Sequence, residues 1–148
     1  MSVIDHKFIG KEYEPDEYEI GREKMKEYAR AVGDMNPYYH DRGFGKNSIY
    51  GDNIAPPCFA SVYNLMGCAK MFFDPELKIN FAMLVHGEQE FEFIKPVKPG
   101  DLITTTGRIV EIYEKGNNDF VVFEARSKNQ NGELVTIGRA TFVIRGGN

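Results

Sequence analysis

The chain has 148 residues, 42% of them hydrophobic and 27% charged, with a net charge of −4. That length suits one domain, and the composition is that of an ordinary globular protein with a sizeable core. An acidic chain lacks the basic surface that neutralises phosphates, so no nucleic-acid partner is expected. No run approaches eighteen apolar residues, so no membrane span is expected either. The segment Met1–Gly10 mixes charges with its apolar residues and does not read as a signal peptide, which points to a cytosolic protein. We expect one domain over residues 1–148.

Residues 1–20 carry Phe8, Ile9, Tyr13, Tyr18 and Ile20 among acidic residues and read as an extended lead-in. Gly21 caps a helix expected over Arg22–Val32. Met25, Tyr28, Ala29 and Val32 fall at i, i+3, i+4 and i+7 and share one face. Gly33 is placed to end it in the left-handed conformation. Asp34–Asn53 then reads as a loop with at most one short turn, because Pro37, Gly43, Gly45 and Gly51 interrupt it. So long a loop inside a compact domain is usually functional.

Ile54-Ala55-Pro56-Pro57 opens a second helix of about fifteen residues, ~22 Å long. It is apolar nearly all round, with Lys70 its only formal charge, so it is expected to be buried. Asp74-Pro75 ends it. From Asn80 the period becomes two, through Phe81, Met83 and Val85 and then Phe91 and Phe93. Lys98-Pro99-Gly100-Asp101 is a turn, Leu102–Lys115 a strand and Gly116-Asn117-Asn118 a second turn. Phe120–Lys128 is a strand, Asn131-Gly132 a hairpin turn and Leu134–Arg145 a last strand. The sum is α+β: an antiparallel sheet with one buried helix.

The two cysteines, Cys58 and Cys68, lie ten residues apart on the expected buried helix, too far for a disulfide, and read as two buried thiols. With three well-separated histidines, no metal-ligand spacing is present and no cofactor is implied.

The densest chemistry lies in Gly33-Asp34-Met35-Asn36-Pro37-Tyr38-Tyr39-His40-Asp41. The run Tyr28–Pro37, together with His86–Phe93 and Pro96–Asp101, resembles the MaoC-like (R)-specific enoyl-CoA hydratases and hydroxyacyl dehydratases. Ala55-Pro56-Pro57-Cys58-Phe59 resembles the branch that includes the FAS1-type dehydratase N-terminal domain and the non-catalytic partners of two-chain dehydratases. The resemblance runs from about residue 7 to 145. It implies a hot-dog fold, a long curved antiparallel sheet wrapped around one central helix. It also implies addition of water to a 2-enoyl thioester of CoA or acyl-carrier protein, or the reverse reaction. Hot-dog domains pair, so a homodimer or a heterodimer with a related protein is expected.

The resemblance implies a water-activating aspartate and histidine five residues apart with an asparagine orienting them; the candidates here are Asp34, His40 and Asn36. Tyr38, Tyr39, Pro57, Cys58 and Phe59 are expected against the substrate. Two positions depart from the family pattern. Where the family has its histidine, two residues after the proline, this chain has Tyr39, with His40 one later. A phenol with pKa near 10 is a poor base, and in an extended loop a one-residue step reverses the side chain's direction. Where the catalytic branch has Ala-His-Gly, this chain has Ala55-Pro56-Pro57. Pro57 offers no N–H to a developing oxyanion, leaving Cys58 N–H as the substitute.

Three functions follow. The chain is the half of a hydratase or dehydratase that shapes the acyl tunnel beside a catalytic hot-dog protomer. Alternatively it is a self-sufficient homodimeric hydratase using Asp34 and His40, or a non-enzymatic acyl-thioester binder. A thioesterase of the same fold fits the Asp-x-Asn-Pro loop less well. Asp34 and Asn36 also fit simple turn-forming roles, His86 a structural hydrogen bond, and Glu88, Glu90 and Glu92 a solvated strand face.

Overall fold

A computed structural model describes residues 4–146. Part of the leader reading, on Met1–Val3, therefore lies outside the described residues. Five strands form one antiparallel sheet in the order β1-β3-β4-β5-β2. They are β1 (Asp16–Glu19), β2 (Leu84–Phe93), β3 (Leu102–Lys115), β4 (Asn118–Lys128) and β5 (Leu134–Ile144). The three long C-terminal strands match the sequence expectation to within two residues, because their turns are set locally by glycine, asparagine and proline. Strand β2 starts later than expected. Asn80 instead accepts the Ala82 N–H on its side chain and the Met83 N–H on its carbonyl, closing a turn through residues 80–83.

Helix α1 (Arg22–Ala31) starts after Gly21 and stops at Val32, with Gly33 at φ +74°. Met25 and Ala29 are buried, but Val32, expected on the same face, is 56% exposed. It is the C-cap, where the chain has already turned away from the core.

The expected loop over residues 34–53 holds two short helices, α2 (Pro37–His40) and α3 (Arg42–Asn47). Their capping explains them. Asn36 Oδ1 accepts the Tyr38 N–H, with Pro37 at the first helical position, and Asp41 Oδ1 accepts the Phe44 N–H. Gly45 is needed for packing: a Cβ there would stand 2.6 Å from Asn53 N.

The central segment is not one continuous helix. It runs as a 3₁₀ turn (Pro57–Phe59), α4 (Ala60–Tyr63), a second 3₁₀ turn (Leu65–Cys68) and α5 (Ala69–Phe72). The break has a tertiary cause. Thr105 Oγ1 on β3 donates to the Tyr63 carbonyl at 3.3 Å, and the Gly67 N–H bonds the Asn64 carbonyl three residues back. The local winding is therefore 3₁₀.

The concave face of the sheet holds this segment, in two apolar clusters. Phe59, Ala60 and Tyr63 pack with Ile20, Met25, Ile103 and Val135; Cys68 and Met71 pack with Ile109, Val121, Phe123 and Phe142. Each buried Ile, Val, Met or Phe among them contributes about 1.5–3 kcal/mol. A buried polar belt separates the clusters. Asn64, 0% exposed, donates to the Ala125 carbonyl and Ser127 Oγ; Ser127 meets Thr105, and Tyr63 OH meets Thr136. The segment's outer side is open, with Met66 50% and Phe73 77% exposed, so the expectation of burial all round is corrected. Cys58 is also exposed, and only Cys68 is a buried thiol.

Candidate active site

The bend between α1 and α2 is built from backbone demands. The Asp34 N–H reaches the Ala29 carbonyl at 2.8 Å, and Asp34 Oδ1 accepts the Asn36 N–H at 3.2 Å. Asn36 in turn caps α2. Both side chains thus hold the bend's shape, whatever else they do.

Residues 37–40 are helical, not extended, so the step from Tyr39 to His40 rotates the side chain by about 100° rather than reversing it. Tyr39 turns inward and is 8% exposed. Burial, the Asp34 carboxylate and the Cys58 thiol all raise its pKa above the usual phenol value of 10.0. Its hydroxyl is thus neutral at physiological pH and lies in the field of Asp34 and of the first turn of the central segment. His40 turns back beneath the bend. Its Nε2 lies 3.0 Å from the Asp34 carbonyl oxygen, so Nε2 carries the proton and donates. Its Nδ1 is buried and meets no polar partner.

The segment is tied to α1 by Tyr28, whose hydroxyl donates to the Cys58 carbonyl at 2.9 Å and meets Ser61 Oγ at 3.3 Å. Pro57 and Cys58 are exposed at its start. The Cys58 N–H lies in the first turn, where no intrahelical carbonyl reaches it. Phe59 is in the core, packed edge-on against Tyr28 and Tyr18. Tyr38 packs edge-on against Phe44 and Tyr50.

A groove of about 220 Å³ opens beside Pro57, lined by Tyr50, Ile54, Ala55, Pro56, Tyr63 and the Phe93–Val97 segment. Of the five residues expected against the substrate, Pro57 lines this groove. Tyr39 lies in the field of Asp34 and Cys58 and is not among the lining residues, while Tyr38 and Phe59 serve packing.

Sequence reasoning missed Asn53. It is 0% exposed, donates to the Tyr38 and Asp41 carbonyls, and accepts from Arg22. The Ile54 N–H adds a bond to the Tyr38 carbonyl. These bonds fix α2 and the start of α3 to the Asn53-Ile54 strip, whose Ile54 lines the groove. The sequence offered only an asparagine near an aspartate in a glycine-rich stretch. His86 has the expected structural bond, its Nε2 lying 3.1 Å from the Glu88 carbonyl, and Glu88, Glu90 and Glu92 are exposed. Among the described residues no cluster of three or more His, Cys, Asp or Glu could hold a metal ion.

A bent antiparallel sheet around an apolar helical segment, with a polar bend against that segment's first turn, is the hot-dog architecture of the MaoC-like hydratases and dehydratases. The chain belongs to the family described as FAS1-like, dehydratase domain region, which matches residues 7–137. It is 38% identical over 144 residues to a UPF0336 protein of Streptomyces avermitilis, covering 97% of this chain and 96% of that one. Among solved structures it is similar to the C-terminally truncated HadBC (3R-hydroxyacyl-ACP dehydratase) complex of Mycobacterium tuberculosis. There the TM-score is 0.80 at 28% identity, with 92% of this chain and 96% of that chain covered. A MaoC-like dehydratase gives a TM-score of 0.83 at 26% identity, covering 94% of this chain and 42% of that chain.

Proposed function

We propose that this chain is the tunnel-shaping subunit of an (R)-specific 2-enoyl-thioester hydratase or 3-hydroxyacyl-thioester dehydratase, acting beside a catalytic hot-dog protomer in the cytosol. The observation that carries this reading is Tyr39. A neutral, buried phenol occupies the place facing Asp34 and Cys58 where water activation needs an imidazole. His40, one residue later, spends Nε2 on the Asp34 carbonyl, and its Nδ1 is buried. Pro57 removes the N–H that would meet the thioester oxygen, a donor worth on the order of 3 kcal/mol to such a transition state. What remains fits a binding role: an apolar groove beside a rigid, capped bend. The similarity to the HadBC dehydratase complex supports a related hot-dog partner.

The test is hydration of a short trans-2-enoyl-CoA by the purified chain alone and with its co-purifying partner, alongside native mass measurement. Background activity alone and full activity in a two-chain complex is the expected result. Full activity of the chain alone overturns the reading.

One observation favours a self-sufficient homodimer. With the proton on Nε2, the lone pair of His40 Nδ1 is unused, and an opening of the bend that exposes it would supply a base next to Asp34. In that case Asp34→Ala and His40→Ala each abolish turnover by the chain alone.

A further inference from the structure

Although the chain is acidic overall, one concavity of about 390 Å³ gathers three cations. Arg22, Arg42 and Lys46 line it with Gly43, Gly51 and a single carboxylate, Asp52. That carboxylate is already committed. Arg22 Nη2 donates to both its oxygens at 3.0 Å, and the Asn53 N–H donates to Oδ1 at 2.7 Å. Arg22 is held in place by a further bond from Nη1 to Asn53 Oδ1 at 2.8 Å. Arg42 and Lys46 differ from it. Both are exposed, and neither reaches a carboxylate within ion-pair distance among the described residues. They stand at i and i+4 on the six-residue α3, on one face, where like charges destabilise a helix. The two glycines add no side chains to crowd the space between them. The result is a shaped site in which three cations face one carboxylate, leaving an excess of positive charge.

Its location gives it meaning. Tyr50 and Ile54 line the apolar groove; Gly51 and Asp52, between them in sequence, line the basic concavity. One five-residue strip is the shared wall of both. We infer that Arg22, Arg42 and Lys46 form an anion subsite for the phosphate of the pantetheine carrier whose acyl group occupies the groove, an inference that rests on the proposed thioester reading. Phosphate on a pantetheine arm is common to coenzyme A and to a loaded carrier protein. Arginine and lysine bind it through charge-assisted hydrogen bonds.

The test titrates coenzyme A and pantetheine into the full ¹⁵N-labelled chain, followed by a carrier protein with and without its phosphopantetheine. Coenzyme A is expected to move the amide signals of Arg42, Gly43, Lys46 and Gly51, and pantetheine, which has no phosphate, to leave them in place. The double variant Arg42→Ala/Lys46→Ala is expected to weaken coenzyme A binding about tenfold or more. Signals moved by the loaded but not the unloaded carrier, with coenzyme A inert, support the subsite with a carrier protein as its source. The inference is overturned if neither coenzyme A nor the loaded carrier moves these signals, if pantetheine acts equally, or if the double variant binds as the parent does. The functional reading fails separately: butyryl-CoA that moves the α3 signals but not those of Tyr50, Ile54 and Val97 leaves the anion subsite standing without an acyl groove.

Discussion

Asn64 Oδ1 lies directly against the backbone of Gly138: a Cβ on residue 138 would stand 1.9 Å from it. Asn64 cannot swing away, because its Nδ2 is bonded to the Ala125 carbonyl and Ser127 Oγ in a fully buried site. Gly138→Ala is therefore expected to cost about 2–4 kcal/mol, as overpacking combined with loss of buried hydrogen bonds. In an Asn64→Ala background the same substitution should cost under about 1 kcal/mol, since the obstructing atom is gone. Denaturant unfolding of the four proteins measures this coupling, and additive costs would refute it.

On the convex face, Glu124 is 4% exposed and meets Arg108, Arg126 and Arg139. Burial raises its pKa, but the Arg139 hydrogen bonds and the charges of Arg139 and Arg108 outweigh that, and the carboxyl sits below its ordinary value of 4.5. A carboxyl with a lowered folded-state pKa stabilises the fold above its unfolded value, and that contribution is lost as pH falls through the folded value. Glu124→Gln is expected to lose about 1–3 kcal/mol at pH 7. Its stability should also fall less between pH 5 and pH 3 than that of the parent. Chemical unfolding at the three pH values decides it, and parallel curves would remove Glu124 from the account.

The two thiols should separate cleanly. Cys58 is exposed at the first turn, whereas burial pushes the Cys68 thiol up to about 12. A thiol reagent at pH 8 is expected to modify Cys58 promptly and Cys68 only on unfolding. A bound acyl-CoA should slow Cys58 modification; an unchanged rate with ligand present would place the thioester elsewhere.

Tyr39→His with Pro57→Gly rebuilds the family pattern at both departures. In the tunnel-shaping reading the pair raises hydration by the chain alone above background. A neutral or harmful effect on a chain already turning over would favour the homodimeric alternative.

Asn53→Ala removes a side-chain bond from each of the Tyr38 and Asp41 carbonyls, which keep the Ile54 and Gly45 N–H groups, and leaves Arg22 held by Asp52 alone. An expected loss of about 1–3 kcal/mol should be local. Amide exchange should accelerate in α2 and α3 while β3–β5 remain protected, and uniform acceleration would contradict the assigned role.

What the sequence revealed was governed by locality. Gly21 and Gly33 bracket α1, and glycine and asparagine turns mark the ends of β3, β4 and β5, because each is decided by neighbours in the chain. The apolar run after Pro57, followed by a period of two, was enough for an antiparallel sheet with one central helical segment, while the hot-dog architecture came from the resemblance carried by residues 28–37, 86–93 and 96–101. The winding of that run was not legible, since Thr105, some forty residues away, takes the Tyr63 carbonyl. Asn53 and Asn64 look in sequence like ordinary polar positions, and only their distant partners make them buried struts. Conversely, Asn36-Pro37 and Asp41 carried readable caps for α2 and α3, but Gly43 and Gly45 outweighed them. At the site, the Tyr39 departure was visible as a letter. Its inward orientation needed the helical turn of residues 37–40.

Strand β2 lies at the margin of the sheet, bonded on one side to β5 over nearly its whole length, while the opposite margin, β1, is only four residues long. Among the described residues the sheet therefore offers one long free margin for lateral growth, and docking there would occupy it. Made in excess of whatever fills that margin, the chain would keep a ten-residue adhesive border bearing Val85 and Phe93 in water. In the proposed two-chain reading, soluble yield is therefore expected to be higher on co-production with the partner than on production alone.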